Sequence, residues 1–156
     1  MIDLARTAAL VAVLAAAVVY GTDVFCAVVQ RPALAHVDDR ALVAVMGNLH
    51  LYGDRRMPVP GALSIIAAAV SGALAALTGR WVAAGAAVSA VGLLLIWIAM
   101  YIRVSAPINR QLTTAAKAGD VPANARVLQS DWDRVITARA ILQGLAIVAL
   151  CVALVN

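Results

Sequence analysis

Charged residues in this chain are spaced so that four long stretches are left almost without them. Residues 57–79 and 81–102 hold none, residues 7–29 hold only Asp23, and residues 140–156 hold none. About 20 apolar residues in helical form cross the hydrocarbon layer of a bilayer, at about 1.5 Å rise per residue. Backbone polar groups in lipid have no water to bond, so each crossing segment must satisfy them internally, as a helix does. The stretches therefore predict membrane-spanning helices at about residues 7–29, 57–79, 81–102 and 135–155. Arg6 and the apolar run up to Ala15-Ala16-Ala17 have the outline of a signal peptide, but the run continues to Val29 and reads as a span.

Composition agrees. Of 156 residues, 64% are hydrophobic and 13% charged, against about 25% charged in a soluble domain. That is too little polar surface to cover a water-soluble fold. The expected fold class is all-α: an integral membrane four-helix bundle, a single domain over residues 1–156, with short amphipathic cytoplasmic helices in the two long connections, 30–56 and 103–134. In the first connection Asp38 can cap a helix from Asp39 to about Tyr52. Leu42, Met46 and Leu49 share one of its faces, and Val43, Gly47, His50 and Asp54 the next. In the second, Pro107 and Pro122 suit the first turns of two short helices separated by Gly119-Asp120.

Both long connections fall on one side of a four-span protein. That side carries Arg31, Arg40, Arg55, Arg56, Arg103, Arg110, Lys117, Arg126 and Arg134, whereas the other carries Arg6 and Arg80. Basic loops stay in the cytoplasm. The expected placement is a multi-pass protein of a bacterial-type inner (plasma) membrane, long loops cytoplasmic and both termini outside. The bases meet lipid headgroups; they form no stripe with interleaved aromatics, so the expected partner is the bilayer and not nucleic acid. Small residues at four-residue spacing (Ala68, Gly72, Ala76; Gly85, Ser89; Ala86, Ala90) permit close helix contact within the bundle or in a homo-oligomer. Cys26 and Cys151 fall near opposite ends of the bundle and are expected to remain unbridged.

Asp23 is the costly residue, about 10 Å inside the cytoplasmic boundary if that boundary is at Gln30. Arg139 lies about 8 Å inside from Arg134, on the antiparallel fourth span. The two are predicted to pair or to line one cavity open to the cytoplasm, with Gln143 one turn deeper on the same face as Arg139. The alternative is an ion pair that only fixes helix register. His50 and Asp54, at i and i+4, can orient an imidazole as base or ligand. His36, His50 and Asp54 are the candidate ligands of a single metal ion, with Asp23 nearby, and His36 with His50 is a candidate haem clamp. The chain has no Glu, which excludes a Glu-based di-iron bundle.

Pro107-Ile108-Asn109 after the third span, Trp132-Asp133-Arg134 and Arg139 around the fourth, and Gly21, Asp23 and Pro32 around the end of the first form a pattern. It resembles the anthrone oxygenase-like family of small four-helix membrane proteins. The family often places Asn or His between the tryptophan and the last arginine, where this chain has Val135-Ile136-Thr137-Ala138. The resemblance implies a membrane oxidoreductase, a monooxygenase turning an anthrone into an anthraquinone, with a lipophilic electron-rich aromatic small molecule as substrate. It implies Asp23 or His50 as base and Arg139 as anchor for the developing enolate. Asn109 would donate a hydrogen bond and Trp132 form an aromatic wall, with Arg134 and Gln143 completing the substrate-binding set. Trp132 and Arg134 equally suit interfacial anchoring. The cofactor stays open between none, haem and a single metal ion. Two other functions stay open as well: a non-enzymatic membrane module binding a lipid, cofactor or partner protein, and a haem-binding electron-transfer subunit.

Overall fold

The computed structural model of the protein describes all 156 residues, and each of the four apolar stretches is helical. Helix α1 (Ile2–Phe25) continues through a π turn (Cys26–Gln30) into the short α2 (Arg31–Leu34). Then follow α3 (Asp39–Arg56), α4 (Pro58–Leu77), α5 (Trp81–Met100), a second π turn (Tyr101–Ser105), α6 (Ala106–Ala118) and α7 (Ala125–Val155). The chain forms four rods of 33, 39, 38 and 31 residues. A 39-residue rod is roughly 58 Å long, about twice the hydrocarbon layer. The fold is an all-α four-helix bundle whose helices are long and apolar enough to cross a membrane and continue beyond it.

Local sequence explains where the rods start, bend and stop. The Asp38 carboxylate accepts a hydrogen bond from the Ala41 N–H at 2.7 Å and starts α3. Pro58 and Pro60 lack N–H donors, so the helix is interrupted at Met57 and resumes as α4. At Gly79 (φ 73°) and Gly119 (φ 68°) the backbone is left-handed, which glycine adopts without steric cost, and there α4 and α6 give way to turns. Pro122 does not start a separate short helix. It lies in the turn before α7, because Leu128, Trp132 and Ile136 bury one face without interruption and leave no reason for a break. Helix α3 likewise runs on past Tyr52 to Arg56.

Helix α1 packs against α4 and α7, and α5 packs against the same two, which closes a ring. Ala12, Ala67, Ala68, Ala90, Leu94, Ala146 and Leu150 form its core. A second core lies at the long-loop end, where Leu42, Val43 and Met46 of α3 meet Ile108 and Leu112 of α6 and Leu128, Trp132 and Ile136 of α7. The amphipathic face of α3 is therefore spent on α6 and α7. The crossing of α3 and α6 is tight at Gly47, whose carbonyl accepts from Thr113 Oγ1 at 3.0 Å. A β-carbon there would overlap the Ala116 methyl and come within 2.5 Å of the Leu112 carbonyl oxygen. Arg126, at the start of α7, donates to Asp39 Oδ1 and to the Leu34 and Val37 carbonyls, which ties down the first connection.

Candidate functional site

Between the two cores lies a polar layer. Asp23, buried at 4% exposure, accepts from Arg139 Nη2 on Oδ1 (3.0 Å). Its Oδ2 accepts from Gln143 Nε2 (2.5 Å) and Trp97 Nε1 (3.3 Å). Arg139 also donates from Nη1 to Ser105 Oγ at 2.8 Å. Its guanidinium lies 5.6 Å from the Tyr101 ring centre and 5.9 Å from that of Trp132, within the range of cation–π attraction. The pairing expected from matched depths is thus present, and a glutamine, a serine and two tryptophans surround it.

A second carboxylate belongs to the same layer. Asp54 Oδ1 accepts from the Tyr101 hydroxyl (2.7 Å) and from Asn109 Nδ2 (2.8 Å). His50, one turn before Asp54, packs at 51° against Trp132 with ring centres 5.4 Å apart. It stands on α3, outside the apolar span. Burial pushes its imidazole down to about 4, and Arg139 adds to the lowering, while Asp54 pulls the other way. His50 is therefore neutral near pH 7, the form that can accept a proton.

Trp97, Tyr101, Ser105 and Asn109 supply this layer at every fourth position of one rod, and each bonds to Asp23, Asp54 or Arg139. In an α-helix that spacing drifts by about 40° per step, so a uniform helix would carry the last residue well off the first one's face. The π turn at Tyr101–Ser105 admits an extra residue and winds the drift back. The four-residue spacing is visible in the sequence. Trp97, Tyr101 and Ser105 were missed as site residues because the π turn that keeps them in register has no composition of its own.

A cavity of about 600 Å³ opens beside the polar layer. His50, Asp54, Asn109, Trp132, Asp23 and Arg139 all line it, against a mostly apolar remainder from α1, α3, α4 and α5. Four polar atoms on its lining residues have no hydrogen-bond partner within the protein: His50 Nε2, Trp132 Nε1, Arg139 Nε and Asn109 Oδ1. Their residues are only 6%, 6%, 6% and 3% exposed. A buried polar atom left unpaired costs about 1–3 kcal/mol, and four such atoms on residues that line one cavity set that end apart from the apolar remainder. The volume falls within the usual range for small-molecule sites, about 300–1,000 Å³.

Several expected residues lie elsewhere. Arg134 is exposed and pairs with Asp131 at 3.1 Å; two residues from Trp132 on a helix, it points to the opposite side. Gln143 touches Asp23 but lies behind it and not on the cavity. Thr137 is exposed. His36 is exposed and donates from Nδ1 to the Pro32 carbonyl at 2.9 Å, away from the cavity. The set His36, His50 and Asp54 is therefore not assembled for a metal ion, and His36 with His50 forms no haem clamp. Nowhere do three His, Cys or Asp side chains gather closely enough to hold one ion. Neither family models, nor curated proteins, nor solved structures provide a match to this chain.

Proposed function

We propose that the protein is a membrane oxygenase acting on a lipophilic, electron-rich aromatic substrate of the anthrone type. The observation that carries this reading is one mostly apolar cavity lined at one end by His50, Asn109, Trp132 and Arg139, each of which keeps a polar atom unpartnered within the protein. These atoms include the Nε2 of a neutral imidazole and the Nε of a guanidinium cation. Asp23 is already engaged by three donors. We therefore assign it to positioning Arg139 and assign the base to His50. His50 Nε2 takes a proton from the ring CH₂ that lies across the central ring from the carbonyl and is acidified through the conjugated system. Arg139 Nε holds the oxygen on which the enolate charge collects. The enolate passes one electron to O₂, and the radical pair closes a carbon–oxygen bond. The returned proton gives a hydroperoxide, which loses water to leave the second carbonyl. One O₂ is consumed, and one oxygen atom leaves as water. Trp132 flanks the ring, and Asn109 lies within the same lining.

The excess of bases on the long connections supports placing them in the cytoplasm, with the polar layer just inside that face and both termini outside. Oxygen uptake by the purified protein with an anthrone tests the proposal. Uptake is expected to match substrate one to one and to yield the quinone. His50→Ala should lower kcat by about 10²–10⁴-fold, the usual contribution of a general base, with the fold intact by circular dichroism. No uptake with an anthrone or any other electron-rich phenol would sink it.

A further inference from the structure

We infer that the cavity takes an amphiphile with an aromatic head and a hydrocarbon tail, and that the tail leaves sideways through the bundle into lipid. This rests on reading the cavity as a site for an oxygen-bearing aromatic, but not on the oxidation of that ligand. The unpartnered polar atoms all belong to α3, α6 and α7 (His50, Asn109, Trp132 and Arg139). The exposed lining residues lie on other surfaces: Thr22 and Phe25 on α1, Pro58 and Ala62 on α4, Ile102 on the second π turn, and Leu49, Tyr52 and Arg56 on α3, where the Arg56 guanidinium lies 5.3 Å from the Tyr52 ring centre. Thr22, Phe25, Ala62 and Ile102 fall within the apolar spans, where an exposed side chain faces hydrocarbon. The cavity is therefore polar at one end and open to lipid at the other.

That asymmetry selects the ligand's shape. A free polar aromatic would leave the apolar half poorly filled, and a plain hydrocarbon would leave the polar residues of the other end without a partner. A phenol or enolisable ketone with an alkyl chain satisfies both halves. Its oxygen meets Arg139 and His50, its ring lies by Trp132, and its chain passes Phe25 and Leu49. The chain needs no room in the protein beyond the mouth, because the bilayer solvates the rest.

The test is binding to the protein in lipid nanodiscs, read by quenching of Trp97 and Trp132 in a Trp81→Phe background. The probes are 1-naphthol and a naphthol carrying a dodecyl chain, each dosed by mole fraction in lipid. Both should bind the native protein. Thr22→Leu and Ala62→Phe enlarge exposed side chains at the mouth. Each should weaken the dodecyl probe by about tenfold, the effect of roughly 1.4 kcal/mol of crowding, and leave 1-naphthol unchanged. Ala69→Phe, at an exposed position of α4 off the cavity, should change neither. Failure of the dodecyl probe to bind the native protein, or its undiminished binding to both mouth variants, overturns the inference. Binding as expected without oxygen uptake from an anthrone overturns the oxygenase reading and leaves this one standing.

Discussion

Removing either partner of the Asp23–Arg139 pair leaves a full charge among apolar helices, since both side chains are 7% exposed or less. Breaking a buried pair from one side costs about 3–5 kcal/mol. Asp23→Asn and Arg139→Gln should each lower the thermal midpoint in detergent by roughly 6–20 °C, at about 2–4 °C per kcal/mol for a chain of this size. The double variant Asp23→Leu/Arg139→Met should recover much of the stability but none of the oxygenation. Equal midpoints for the single and native proteins would show that the pair does no structural work. His50 gives a second residue-level expectation, in pH. Its folded value of about 4 lies below the ordinary 6.5, so the unfolded chain binds a proton that the native one refuses. Its contribution is complete above pH 6.5 and is lost as pH falls towards 4, by at most about 3 kcal/mol. Melts of the native protein and of His50→Gln across that window should diverge, the native protein losing more on acidification. Parallel curves would place the imidazole in water.

Among the elements, α3 and α6 have the narrowest contact, and Gly47 sets it. Gly47→Ala forces the two helices apart against the Leu112 backbone. Overpacking of this kind costs about 1–3 kcal/mol, and here it should act locally. Amide exchange of α3 and α6 should quicken while that of α4 and α5 stays slow; uniform protection would show that the contact is slack. Elements also mark how far the sequence could be read. Four spans, the Asp38 cap and the shared depth of Asp23 and Arg139 follow from charge spacing and helical rise, which are local quantities. The π turns at Cys26–Gln30 and Tyr101–Ser105 do not, because their residues are ordinary helix formers and the widening answers to contacts across the bundle. The same holds for the first turns of α7, which read as part of a connection and are helical because α3 and α6 give Leu128 and Trp132 something to pack against. The roles expected of His36 and Arg134 rested on residue type alone, and facing direction removed both from the cavity.

At the scale of the molecule, the proposed orientation predicts one-sided chemistry. In a background without Cys26 and Cys151, a cysteine at the exposed Ala123 should react with a membrane-impermeant maleimide only after cells are permeabilised. Labelling of intact cells would invert the topology and place the polar layer under the outer face. The third rod, Trp81–Ala118, serves both parts of the molecule: its first half belongs to the apolar bundle and its second to the core at the long-loop end. The wide turn at Tyr101–Ser105 is the joint where those halves are clocked against each other. A chain shortened by one residue there would wind as a uniform helix, and Trp97 and Asn109, then eleven positions apart, would stay within about 20° of one face. The ordinary rule, that length changes belong in loops, is thus relaxed at this joint. One mid-helix stretch holds a residue in excess and can give it up with the polar layer still on one face.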